Sequence, residues 1–142
     1  MKTFVALVIT VTLASCSKKE NHEESGWAQL DAFHAVMAKA YHPLKDDGTV
    51  EPAKKLTGEL ASAADQLLSN PLPKKMDNDV MRAKIEKLKN GAHDLADEIG
   101  RGTSDDMIKE KLTTLHEQFH EVMEAWHGDD HGGAAADEDD ED

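Results

Sequence analysis

The sequence predicts an all-α protein, an up-down-up-down antiparallel four-helix bundle. Three observations carry that expectation. Four segments space their apolar residues by alternating steps of three and four, which at about 100° per residue draws one narrow apolar face along a helix. Between them stand breaks rich in proline and glycine, at residues 43–51, 70–73 and 101–102. Nowhere does a strand-like alternation of apolar and polar residues appear. The bundle is expected over residues 26–127, and about 100 residues suffice for a modest core in one domain.

The first helix is expected from Ser25 to about His42, where Pro43 stops it. Its seam reads Trp27, Leu30, His34, Met37, Tyr41 and Leu44, with Phe33 and Ala40 widening the face. That places an imidazole among core positions. A loop with a turn at Asp47-Gly48 follows. The second helix opens with Pro52 in its first turn and runs to about Ser69. Ala53, Leu56, Leu60, Ala63 and Leu67 form its stripe, Ala64 and Leu68 flank it, and Gly58 faces outward. Small residues there permit close helix approach. Asn70-Pro71-Leu72-Pro73 breaks the chain.

The third helix, capped near Asp77 and ending before Gly100, keeps Met81, Ile85, Leu88, Ala92, Leu95 and Ile99 in one register. The register runs straight through Asn90-Gly91, so that dipeptide is not read as a turn despite its usual meaning. His93 sits off the stripe. Thr103 and Asp106 can cap the fourth helix, whose seam is Ile108, Leu112, Leu115, Phe119, Val122 and Trp126. A second stripe, His116, His120, Met123 and His127, runs beside it, one residue round toward the edge.

The ends of the chain read differently. Lys2 precedes an apolar run from Phe4 to Leu13, too short to span a bilayer. Leu13-Ala14-Ser15-Cys16 closely resembles the lipobox of bacterial lipoproteins. The resemblance implies removal of residues 1–15 as a signal peptide, lipid on the Cys16 thiol and anchoring by two or three acyl chains. Ser17 after it resembles sorting to the outer membrane, so the expected location is the cell envelope, lipid-anchored, facing the periplasm. Residues 16–25 form a polar tether. Residues 128–142, rich in Asp and Glu and poor in apolar side chains, are expected to form a disordered acidic tail.

Cys16 is the single cysteine among 142 residues, which excludes an intramolecular disulfide and a thiolate metal site. A formal net charge of −13 excludes electrostatic attraction to nucleic acid or anionic lipid, and favours cations. No phosphate-binding glycine loop is present, and the carboxylates are spread over solvent faces, so no enzyme is expected.

The chemistry that remains is imidazole. His116 and His120, at i and i+4, point the same way and can share a metal ion. Phe33-His34-Ala35-Val36-Met37 and Phe119-His120-Glu121-Val122-Met123 repeat one pattern on the first and last helices. If Trp27 lies level with Trp126, level residues sum to about 153 along antiparallel helices, and His34 stands opposite Phe119 and His120. His34, His116 and His120 then converge as a ligand set suited to copper, zinc or nickel. Met37 and Met123 lie one turn further along and would favour copper(I) as additional ligands. Glu117 and Glu121 flank the stripe and could orient the imidazoles.

Thr113-Thr114 ahead of Phe119-His120 on the last helix is similar to the periplasmic cytochrome b562 family, small four-helix bundles that hold b-type haem. The resemblance covers the last two helices and implies His120 as an axial haem ligand. The family's other ligand is a methionine near the start of the first helix; here His34 holds the level opposite His120, with Met37 a turn away. The expected function is a lipid-anchored envelope protein that holds a transition-metal ion, or less readily haem b, between its first and last helices. The alternative is a cofactor-free structural or interaction bundle of the envelope.

Overall fold

The computed structural model describes residues 25–128. The leader, Cys16, the tether up to residue 24 and the acidic tail from residue 129 lie outside the described residues. Four helices follow one another: α1 (Ala28–Asp47), α2 (Glu51–Ser69), α3 (Asp79–Gly100) and α4 (Asp105–Gly128), with a short 3-10 turn at Lys74–Met76 ahead of α3. Consecutive helices pack against each other and α1 closes onto α4, so the architecture is the all-α four-helix bundle. Among the described residues no helix is long and apolar enough to cross a membrane.

Local chemistry explains each boundary. Trp27 is extended ahead of α1, and the Ser25 N–H donates to the Asp31 carboxylate at 2.7 Å, tying the entering chain to the first turn. The expected stop at Pro43 does not occur. Proline lacks the N–H that would bond the Lys39 carbonyl, but its φ is helical and the missing bond faces a single carbonyl. The chain continues to Asp47 and ends at Gly48, whose φ of 71° closes the helix. There the Gly48 N–H donates to the Leu44 carbonyl at 3.0 Å and the Thr49 N–H to that of Pro43 at 3.3 Å. Two carbonyls satisfied by a left-handed glycine outweigh one bond lost to proline.

α2 starts as expected, with Pro52 in its first turn. α3 is capped next to Asp77, as expected, by Asn78, whose side chain accepts from the Met81 N–H at 2.9 Å. α4 is capped by Ser104 rather than Thr103, the hydroxyl accepting from the Met107 N–H at 3.3 Å. α3 runs unbroken through Asn90-Gly91. Gly91 is needed there for proximity, not for a turn. A Cβ at that position would stand 2.5 Å from Gln118 Oε1 and 3.1 Å from Leu115 Cδ1 on α4.

All six seam residues of α4 are buried, as are Met81, Ile85, Leu88, Ala92 and Leu95 of α3. On α1 the seam is rotated from expectation: Trp27, Leu30, Phe33 and Met37 are buried, while His34 and Tyr41 lie at the rim. Burying the Phe33 ring gains roughly 2–3 kcal/mol, whereas an imidazole in its place would bring two ring nitrogens in need of partners. Among the described residues no polar or charged residue is fully buried. Trp27 and Trp126 meet at 5.5 Å between ring centroids, so α1 and α4 have the expected register.

Candidate metal centre

The α1–α4 seam is built around a pair of phenylalanines. Phe33 and Phe119, each no more than 1 % exposed, meet at 5.6 Å between centroids across the two helices. Such a tilted pair contributes about 0.5–1.5 kcal/mol beyond its buried area. Outside it, half in solvent, lies a layer of rings bearing nitrogen and oxygen.

His34 stacks on Phe119 at 4.8 Å with 29° between planes, so it faces α4 at the predicted level. His116 and His120, on successive turns of α4, meet edge to face at 4.5 Å. Tyr41 lies almost flat on His116, at 3.8 Å and 11°. This contact escapes the simple level rule, which sets Tyr41 opposite Leu112. Side chains on a helix lean toward its N-terminus, and on antiparallel helices the two lean toward each other, so residues a turn apart in level meet.

His116 is half-buried, and its imidazole is held at about 4 against an ordinary value of 6.5. Desolvation is the first cause; the neighbouring His120, His42 and His34, then Lys45, oppose a charge there in that order. His42 therefore belongs to the same constellation, and sequence reasoning passed over it. Its signal was available: His34 and His42 are eight residues apart, two turns along one helix, but the expected stop at Pro43 made His42 the last residue of that helix.

The remaining expectations for the site divide. Met37 is fully buried in the core, and Met123 is partly buried against it. His120 is exposed at the rim. Glu121 turns away from the imidazoles to α3, where it pairs with Lys87 at 3.0 Å and Lys84 at 3.7 Å, so it does not orient the histidines. These lysines, Lys87 first, hold its carboxyl below the ordinary carboxylate value. Glu117 is exposed. His93 lies on the other side of the bundle, 2.9 Å from the Asp65 carboxylate.

Among the described residues no three His, Cys, Asp or Glu side chains stand together as a ready-made metal-ligating group. The seam brings imidazoles to one place without converging them on one point. Stacking covers the ring faces of His34 and His116, while coordination uses the lone pair in the ring plane. Stacking on Tyr41 therefore does not occupy the ring-plane lone pair of His116, and burial keeps that imidazole unprotonated. Comparison with known proteins returns no matching family model, no matching curated protein and no matching solved structure.

Proposed function

We propose that this chain is a lipid-anchored binding protein of the cell envelope that takes up a transition-metal ion on the α1–α4 seam. One observation carries the reading: the imidazoles of His34, His42, His116 and His120 share that seam closely enough for the other three to oppose protonation of His116. A half-buried imidazole that stays neutral through the physiological range offers its lone pair without competition from protons. His116 and His120 supply the first two ligands, and His34 or His42 completes the set from α1. Copper, zinc and nickel accept such a donor set. Haem would instead take His120 as an axial ligand.

The test is a titration of purified protein with copper(I), zinc, nickel and haem. About one equivalent of metal is expected, with affinity reduced at least about tenfold in His116→Ala and in a His34→Ala/His42→Ala double variant. A rise in Tm on metal addition is expected too, because the unfolded chain does not hold α1 and α4 side by side. Equal binding by the wild type and by both variants would overturn the seam as the site. A Soret band lost in His120→Ala would assign haem instead. No binding of any candidate would leave the cofactor-free interaction bundle as the better reading. Anchoring is tested separately: Cys16→Ala is expected to move the protein out of the membrane fraction.

A further inference from the structure

On the α3–α4 side of the bundle, away from the imidazole seam, lies a cleft of about 210 Å³. Its floor is open because α3 places Gly91 there, against Leu115 and Gln118 of α4. A Cβ on Gly91 would stand 2.5 Å from Gln118 Oε1, so that oxygen rests on the glycine itself. The oxygen is enclosed and accepts no hydrogen bond among the described residues. Gln118 Nε2, the other end of the amide, is not enclosed and has no acceptor among the described residues. It is therefore the end that the amide presents to the cleft, and Gly91 fixes that orientation by leaving room for the oxygen.

The walls carry charge that the fold leaves unpaired. From α3 onward, Arg82, Lys84, Lys87, Lys89, Arg101 and Lys109 each stand within 4.0 Å of a carboxylate. Lys111, which borders the cleft, has no such partner among the described residues. Asp94 and Glu110, the two carboxylates of the lining, also have neither an ion pair nor a side-chain hydrogen bond among the described residues. Lys111, Thr114 and Gln118 recur at steps of three and four, which sets three donors in a row along one face of α4. Unpaired charges of both signs around one small space select a ligand that carries both signs. A simple anion meets two carboxylates there, and a simple cation meets Lys111. The volume equals about seven waters at roughly 30 Å³ each, below the about 300–1,000 Å³ of drug-sized sites. That suits a free amino acid and excludes a nucleotide.

We propose that this cleft binds a free α-amino acid. Its carboxylate accepts from Lys111, the Thr114 hydroxyl and the Gln118 amide, and its ammonium donates to Asp94 and Glu110. These are charge-assisted hydrogen bonds, about twice as strong as neutral ones. Met107, 41 % exposed at the edge of the same cleft, offers an apolar contact to the amino acid's side chain.

Titration of the intact protein with L-alanine, followed by backbone amide NMR, tests the proposal. Signals of Gly91, Asp94, Lys111 and Thr114 are expected to move together and to saturate with Kd on the order of 1 mM. Acetate and methylammonium, with one charge each, should bind at least about tenfold more weakly. Lys111→Met and the double variant Asp94→Asn/Glu110→Gln should each weaken L-alanine binding about fivefold or more. None of these side chains is buried, so both variants keep the core, and an unchanged Tm checks this. Shifts that stay linear up to about 50 mM would overturn the site. Equal binding by both variants would do the same, as would shifts centred on His34 and His120. Acetate binding as tightly as L-alanine would also sink it, because the cleft would then hold a simple anion.

Discussion

The two sides of this bundle are sealed in different ways. On the α2–α3 and α3–α4 sides the rims carry opposite charges: Asp65 with His93 at 2.9 Å, and Glu121 with Lys84 and Lys87. Beneath them, small residues such as Ala61, Ala64, Gly91 and Ala92 let the backbones approach. On the α1–α4 side the rim is a stack of rings, with Tyr41 on His116 and His34 on Phe119. Exposed ion pairs contribute roughly 0–1 kcal/mol each and satisfy their own partners. Stacked imidazoles pack as flat hydrophobes yet keep an in-plane lone pair. The difference separates two kinds of rim: on one side charges are paired with charges, and on the other rings are packed face to face, with the His116 imidazole held unprotonated by burial.

The largest test of that contrast is Phe119→Ala. It removes the ring on which both Phe33 and His34 rest, and chemical denaturation should show a loss of about 3–5 kcal/mol. A loss below about 1 kcal/mol would mean that the aromatic seam contributes little to holding α1 against α4.

A pH series sharpens the same contrast. His116 has a folded value depressed to about 4 from 6.5, so between those values the unfolded chain binds the extra proton. Stability from this group is fully present above pH 6.5 and is lost as pH falls from 6.5 to about 4. With the half-exposed ring screened by solvent, the loss should be about 1–2 kcal/mol. His116→Gln should flatten that part of the curve. Glu121 acts lower: its carboxyl is depressed by Lys87 and Lys84, so its contribution is present above 4.5 and disappears as pH falls further. An unchanged slope in His116→Gln would show that the seam does not resist protonation.

The smallest effects compare two glycines. Gly58 faces open space, and Gly58→Ala should raise stability by about 0.5–1 kcal/mol through helix propensity alone. Gly91→Ala gains the same propensity but forces Gln118 and Leu115 to move, so its thermal shift should be lower than that of Gly58→Ala. Equal shifts would show that α3 and α4 do not need that close approach.

Much of this protein was legible in the chain itself. The period of three and four identified four helices and every buried residue of the α4 seam, because burial of one face is a local property of spacing. It also carried α3 correctly through Asn90-Gly91, and the tryptophan register brought His34 to Phe119. Other features depended on the folded whole. Whether Phe33 or His34 turned inward was a competition between adjacent positions, decided by which ring can be buried without leaving nitrogens in need of partners. Whether α1 stopped at Pro43 or Gly48 depended on which carbonyls found donors. His42 and Tyr41 joined the imidazoles because opposed side chains lean toward each other, a relation that exists only once two helices lie antiparallel. The separation of paired charges from stacked rings arose likewise, since side chains as far apart in sequence as Asp65 and His93 or His34 and Phe119 do not meet until the bundle closes.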